Sequence, residues 1–229
     1  MATAAFRDQP STSPGLIGSS SALLACGILA GPLYMGVGLL QIAFRDGFNP
    51  MRHTLSLMSL GGAGWVQIAN FILAGLLVVA GAAGARRAMP SGRGRTWGPL
   101  LLAAYGLGVV ASGVFVADPM NGFPPGTPDG PPETMSWHGG LHFMAGGVGF
   151  LTIIAATFVF ALRYATLGMR GWSAYSAATG ALFLASFMGV ASGSQHPAVF
   201  LAFWIAMALI WAWITAISVQ LLKSHHPAP

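Results

Sequence analysis

Charge is what this chain has least of. Only 7% of its 229 residues are Asp, Glu, Lys or Arg, while 55% are hydrophobic. A soluble domain carries about 25% charged residues, so a water-facing surface cannot be built from this composition. Disorder is excluded as well, because it requires low hydrophobicity and high charge. The solvent that fits is a bilayer. Cysteine is scarce too. Cys26 stands alone, which excludes an internal disulfide and a cysteine-based metal site and leaves a small packing residue inside an apolar run. Lysine occurs once, as Lys223 beyond the last apolar run, so no lysine is placed for a mid-membrane Schiff base. The net charge of +5 sits in short loops between apolar runs. It reports topology and contact with anionic lipid rather than nucleic-acid binding.

What is present is apolar length. A membrane-spanning helix needs about 20 apolar residues. Six stretches supply them, at 21–44, 64–85, 97–116, 138–162, 172–192 and 198–222, each free of Asp, Glu, Lys and Arg. The prediction is an all-α, polytopic six-transmembrane-helix bundle over 21–222. A disordered N-terminal tail (1–20) and a short C-terminal tail (223–229) flank it, and no soluble domain is expected. One set of loops holds Arg7, Arg86, Arg87, Arg93, Arg95, Arg163, Arg170 and Lys223, whereas the other holds only Arg45 and Arg52. The positive-inside rule therefore predicts both termini in the cytoplasm, N-in and C-in. Trp65, Trp97, Trp137 and Trp172 each open a predicted helix, where an interfacial ring belongs. The Arg-rich, Lys-poor and Ala/Gly-rich composition points to a multi-pass protein of a bacterial inner (cell) membrane. Gly27 and Gly31 form a GxxxG step, and Gly146, Gly147 and Gly149 crowd the fourth span. The first reading of these is close packing within the bundle, and the second is a homo-oligomer face.

The polar residues converge on the predicted non-cytoplasmic side. His53 lies in the first outer loop, His138 and His142 open the fourth helix, His196 sits in the turn before the sixth, and Asp118 ends the third. His225 and His226 fall in the C-terminal tail and look incidental. The i, i+4 spacing of His138 and His142 lets both point from one helical face, as two ligands of one metal require. In the segment NPMRHTLSLMSL, Asn49 and Pro50 suit an N-cap and first helical residue. A short helix from Pro50 would place His53 and Ser56 on one face. The segment 117–137 contains six prolines and reads either as a stiff lid over the outer mouth or as a plain connector.

The segments GFNPMRHTLSLMSLGGAGWVQIANFILAGLL and GVFVADPMNGFPP, together with Leu141-His142, resemble an uncharacterised six-helix membrane family, domain of unknown function 998. Its pattern has an Asp/Asn-Pro-x-x-His-x-x-Ser element before helix two, a Gly-x-Phe-x-x-Asp-Pro element after helix three and a Leu-His opening helix four. Position by position, the resemblance singles out His53, Ser56, Asp118 and His142. The family has no established activity to transfer. A weaker likeness is chemical. Alkaline ceramidases hold zinc between membrane helices with three His, supported by Ser and Asp, but they have seven helices and carry their His pair on the last.

Four functions are compatible with these residues. One is a structural or ligand-binding membrane protein, in which His53 and His142 pair with Asp118 as a clasp and the ligand is a lipid-like small molecule. A second is a membrane-embedded metal-dependent hydrolase of a lipid-like substrate. There His53, His138 and His142, with His196 as alternative, bind Zn²⁺ and activate a water, Asp118 acts as base or orienter, and Ser56 stabilises an oxyanion. A third is a haem-binding protein with His axial ligands. The last is an ion-coupled transporter, although Pro32 in the first helix and Gln67 and Asn70 in the second are the only midplane irregularities.

Overall fold

The computed structural model describes residues 14–225. The first thirteen residues of the expected tail lie outside that range, as does His226. Six helices follow one another: α1 (Pro14–Ile42), α2 (Gly64–Ala88), α3 (Trp97–Val114), α4 (Trp137–Thr166), α5 (Arg170–Ala191) and α6 (Pro197–His225). All six are long and apolar enough to cross a membrane, and no strand occurs among the described residues. A helix is what an apolar solvent demands, because it satisfies its backbone hydrogen bonds within one segment. α1 begins at Pro14 rather than near 21, and Pro14 and Pro197 each open a helix, where a missing N–H costs nothing. Gly168, at φ +74°, closes α4. Its left-handed turn lets Met169 N–H reach Tyr164 O at 2.9 Å, a C-terminal cap that favours glycine.

The helices form a ring in which each packs on its neighbours in sequence and α6 returns to α1, with α2 also touching α6 across the middle. Close approach is achieved with glycine. A Cβ on Gly81 would stand 2.7 Å from Gly27 Cα, and one on Gly31 would stand 2.6 Å from Trp211 O. The GxxxG step thus faces α2 and α6 of the same chain. The centre is aromatic, with Trp211, Trp213, Tyr105, Phe160 and Phe183 fully buried. Trp65, Trp97 and Trp137 are exposed at helix starts, as an interfacial belt requires. Arginines at the opposite end fasten loops. Arg163 donates to Ser91 O and Arg93 O (3.1 and 3.0 Å), and Arg95 Nε donates to Met89 O (2.7 Å).

Candidate functional site: a cavity with a histidine rim

The connection from α1 to α2 does not form the expected helix from Pro50. Asn49 Oδ1 accepts from Met51 N–H (2.9 Å) and Asn49 O accepts from the N–H groups of Arg52 and His53 (2.9 and 2.8 Å). That closes a single turn. A separate 3₁₀ helix, Leu55–Ser59, follows, seated by the buried Leu55, Leu57 and Met58. His53 therefore does not share a face with Ser56. Its ring is buried inside the turn. Nδ1 accepts from Asn49 N–H at 2.9 Å, so the proton sits on Nε2, which donates to Asn121 O at 2.9 Å. Both nitrogens are engaged by backbone.

Asn121 belongs to the proline-rich segment and holds a left-handed φ of +57°. Two residues later Phe123 is buried among Phe48, His53 and the Arg45 guanidinium, with centroid distances of 5.4, 5.4 and 5.5 Å. This segment docks on the first loop. Arg52 pairs at 2.7 Å with Asp129, not with Asp118, and both side chains are largely exposed, so the pair adds little stability.

Asp118 takes neither expected partner. Its carboxylate accepts from Ser136 N–H (2.8 Å) and Ser136 Oγ–H (2.5 Å), and Ser136 Oγ in turn accepts from Gly139 N–H (3.0 Å) as N-cap of α4. A carboxylate beside a helix N-terminus also complements its dipole. The clasp of His53 and His142 on Asp118 is replaced by separate bonds from each group to nearby backbone and Ser136.

His142 is buried, and its Nδ1–H is shared between Phe115 O (2.8 Å) and Ser112 O (3.1 Å). These carbonyls belong to the end of α3, where helical partners run out. The imidazole of α4 caps α3 from outside. Nε2 is left with its lone pair and no protein partner, on the wall of a cavity of about 420 Å³. That volume is in the range of small-molecule sites. Phe71, Val109, Phe150, Phe187, Phe203 and Met207 make most of its wall apolar. At the rim stand His142, Ser112, Ser56 and Thr54, with Ser56 Oγ and Thr54 Oγ1 3.0 Å apart. Only one of those two hydroxyls donates in that bond, so one hydroxyl hydrogen remains. The lining residues Phe143, Ala191 and Gly193 are exposed, which places a mouth between the start of α4 and the end of α5. Gly146 and Gly147 leave open space rather than pack; the nearest atom to a Cβ on Gly146 would be Ser112 Oγ at 4.0 Å. Gly149, by contrast, packs on Gly108.

Two of the sequence candidates, Ser56 and His142, thus meet at this cavity. His138 is exposed and lies tilted against Trp137 with ring centroids 3.7 Å apart, and His196 is exposed with Nδ1 accepting from Ala198 N–H at 3.2 Å. Among the described residues no three His, Cys, Asp or Glu side chains are gathered as a metal ligand set. Sequence reasoning missed Thr54, Tyr105 and Ser112. The signal for the last two was available: Tyr105, Gly108, Val109 and Ser112 share one helical face by spacing.

The family model described as "Protein of unknown function (DUF998)" matches residues 28–220. The chain belongs to this family. Neither curated proteins nor solved structures return a match. The DUF998 match spans α2 to α5 whole, the second half of α1 and all but the last five residues of α6, so it includes every residue of the rim.

His53 is expected to make the loops that hold it pH-sensitive. Burial holds its pKa below the ordinary imidazole value of about 6.5; the Asn121 carbonyl opposes that shift and the Arg52 charge adds to it. Protonation would turn Nδ1–H against Asn49 N–H. A depressed base contributes stability that is fully present above the ordinary value and lost as pH falls through the lower folded one. The thermal midpoint in phosphatidylcholine nanodiscs should fall as pH drops from about 6.5 toward 5. In His53→Asn, whose Oδ1 can keep accepting from Asn49, that slope should flatten. An unchanged slope would show that His53 carries none of it.

Proposed function

We propose that this DUF998 protein binds an uncharged, single-chain amphiphile that enters laterally from the lipid phase between α4 and α5. The observation that carries the reading is the cavity itself, with an apolar aromatic wall and a polar rim whose acceptor, His142 Nε2, has no protein partner. The wall takes the chain of the ligand. A hydroxyl head donates to His142 Nε2 and accepts the spare hydrogen of the Ser56–Thr54 pair. No carboxylate or arginine lines the cavity, which favours a neutral head. The loop charges support placing this rim at the non-cytoplasmic end, and the Arg-rich, Lys-poor composition supports a bacterial inner membrane. A zinc hydrolase would need His53, His138 and His142 around one point. With both His53 nitrogens on backbone and His138 exposed, the donor set as arranged does not fit that ion, and no catalytic step is assigned to Ser56 or Asp118.

The test is photolabelling. The full-length protein in phosphatidylcholine nanodiscs is irradiated with a long-chain primary alcohol bearing a diazirine, and adducts are mapped by mass spectrometry. Adducts should concentrate on Phe150, Phe203 and Met207 and be competed by unlabelled alcohol. Adducts confined to lipid-facing residues such as Leu151 and Leu182, without competition, would overturn the proposal.

A further inference from the structure

The end of the bundle opposite the histidine rim carries charge that the protein leaves unbalanced. Arg86, Arg87, Arg93, Arg95, Arg163 and Arg170 lie around the loops that follow α2 and α4. The acidic side chains among the described residues, Asp46, Asp118, Asp129 and Glu133, all belong to the loops that precede those helices, at the other end. Two of the arginines are anchored in a way that leaves a grip free. Arg163, in the last turn of α4, uses Nη1 on Ser91 O and Arg93 O, and Arg95 uses Nε on Met89 O. Arg163 keeps its Nε–H and Nη2–H edge, and Arg95 keeps its Nη1–H and Nη2–H end, each without a protein partner among the described residues. Such a two-donor fork matches the oxygens of a phosphate. The carbonyl bonds also hold each guanidinium in place, so less side-chain freedom is lost on binding. The α2–α3 loop lies along Arg163: a Cβ on Gly92 would stand 3.6 Å from its Nη1, and one on Gly94 would stand 3.5 Å from its Cβ. Arg93, between those glycines, is exposed. Trp97 and Leu100 on α3 and Leu162 on α4, within about a turn of these groups, are more than half exposed, as befits the depth where headgroups give way to chains.

We infer that the α2–α3 loop binds the headgroup of an anionic phospholipid. The free forks of Arg95 and Arg163 take the phosphate oxygens, Arg93 adds its charge from the water side, and the acyl chains run along the exposed faces of α3 and α4. A soluble anion would make no use of the apolar surface beside the loop. A zwitterionic lipid also brings a phosphate, but its cation would enter a field of arginines with no acid nearby to receive it. An anionic head such as glycerol phosphate brings no such cation. The site lies at the far end of the bundle from His142, so it is independent of the amphiphile reading.

Native mass spectrometry decides this, on the full-length protein released from nanodiscs of equal parts phosphatidylglycerol and phosphatidylcholine with matched chains. The wild type should retain phosphatidylglycerol at least about tenfold in preference, as expected for arginine charges held at one anionic head. Arg93→Gln/Arg95→Gln should lose most of that preference. Arg87 turns toward Ser19 of α1 and Arg170 opens α5, so Arg87→Gln/Arg170→Gln removes the same charge from this end but not from the loop, and it should retain lipid as the wild type does. An equal fall in both double variants would reduce the patch to a diffuse positive field and overturn the site. Displacement of the lipid by millimolar inorganic phosphate would reassign the arginines to a soluble anion and overturn it as well. Arg95 also holds Met89 O, so a wild-type readout stands beside the variants. Phosphatidylglycerol with a diazirine on its head should label Arg93, Thr96 and Trp97 above all other positions at this end. Adducts spread evenly over the loops there would contradict the assignment.

Discussion

Gly81→Val is expected to destabilise the bundle by at least about 3 kcal/mol, above the usual cost of overpacking. The added Cβ at position 81 would meet Gly27 Cα at 2.7 Å and Gly27 N at 3.0 Å. Both contacts are backbone, so no rotamer change relieves them. α1 and α2 must separate, and α1 is also held against Trp211 O by Gly31. In a membrane such close backbone packing substitutes for the hydrophobic force that water would supply. Gly36→Ala is the control, because a Cβ there meets nothing within 4 Å; its effect should stay within about 0.5 kcal/mol. Denaturation in mixed micelles measures both. A Gly81→Val protein as stable as the control would contradict the packing described for α1 and α2.

The second large effect belongs to His142. Replacement by alanine removes the donor that serves Ser112 O and Phe115 O and leaves buried carbonyls unpaired, at a cost of about 2–4 kcal/mol. It also removes the rim acceptor, so labelling by the diazirine alcohol should fall at least about tenfold. His142→Asn separates the two roles. The asparagine amide can donate near the Nδ1 position, and the variant should recover most of the stability. It has nothing in place of Nε2 and should remain deficient in binding. Asparagine that restores binding together with stability would show that Nε2 does not receive the ligand.

The spans were legible because each rests on local features: an uncharged run, flanking basic residues and, for four of the six, an opening tryptophan. The site was only half legible, for reasons that differ by residue. That His53, His138, His142, His196 and Asp118 gather at one end of the bundle follows from where the runs stop. What each imidazole does there depends on main-chain acceptors, which every residue carries and no sequence pattern marks. His142 meets the frayed carbonyls of α3, and His53 meets Asn121 O, presented by a left-handed residue deep in a proline-rich segment. The expectation of a helix from Pro50 failed because Asn49 bonds the turn shut on itself. The cavity escaped notice for a further reason. Glycines at 146, 147 and 149 read alike as packing surface, yet only Gly149 packs on the backbone of another helix, and the emptiness beside Gly146 belongs to a cavity that residues of α3, α5 and α6 also line.

That emptiness gives the most direct measurement. Gly146→Leu projects a side chain toward Ser112 and into open cavity, with no contact closer than 4.0 Å at its Cβ, so the fold should hold and the thermal midpoint should match the wild type. The yield of diazirine-alcohol adducts on Phe150, Phe203 and Met207 should fall at least about tenfold. A stable Gly146→Leu protein that labels at those residues as strongly as the wild type would contradict ligand binding in this cavity.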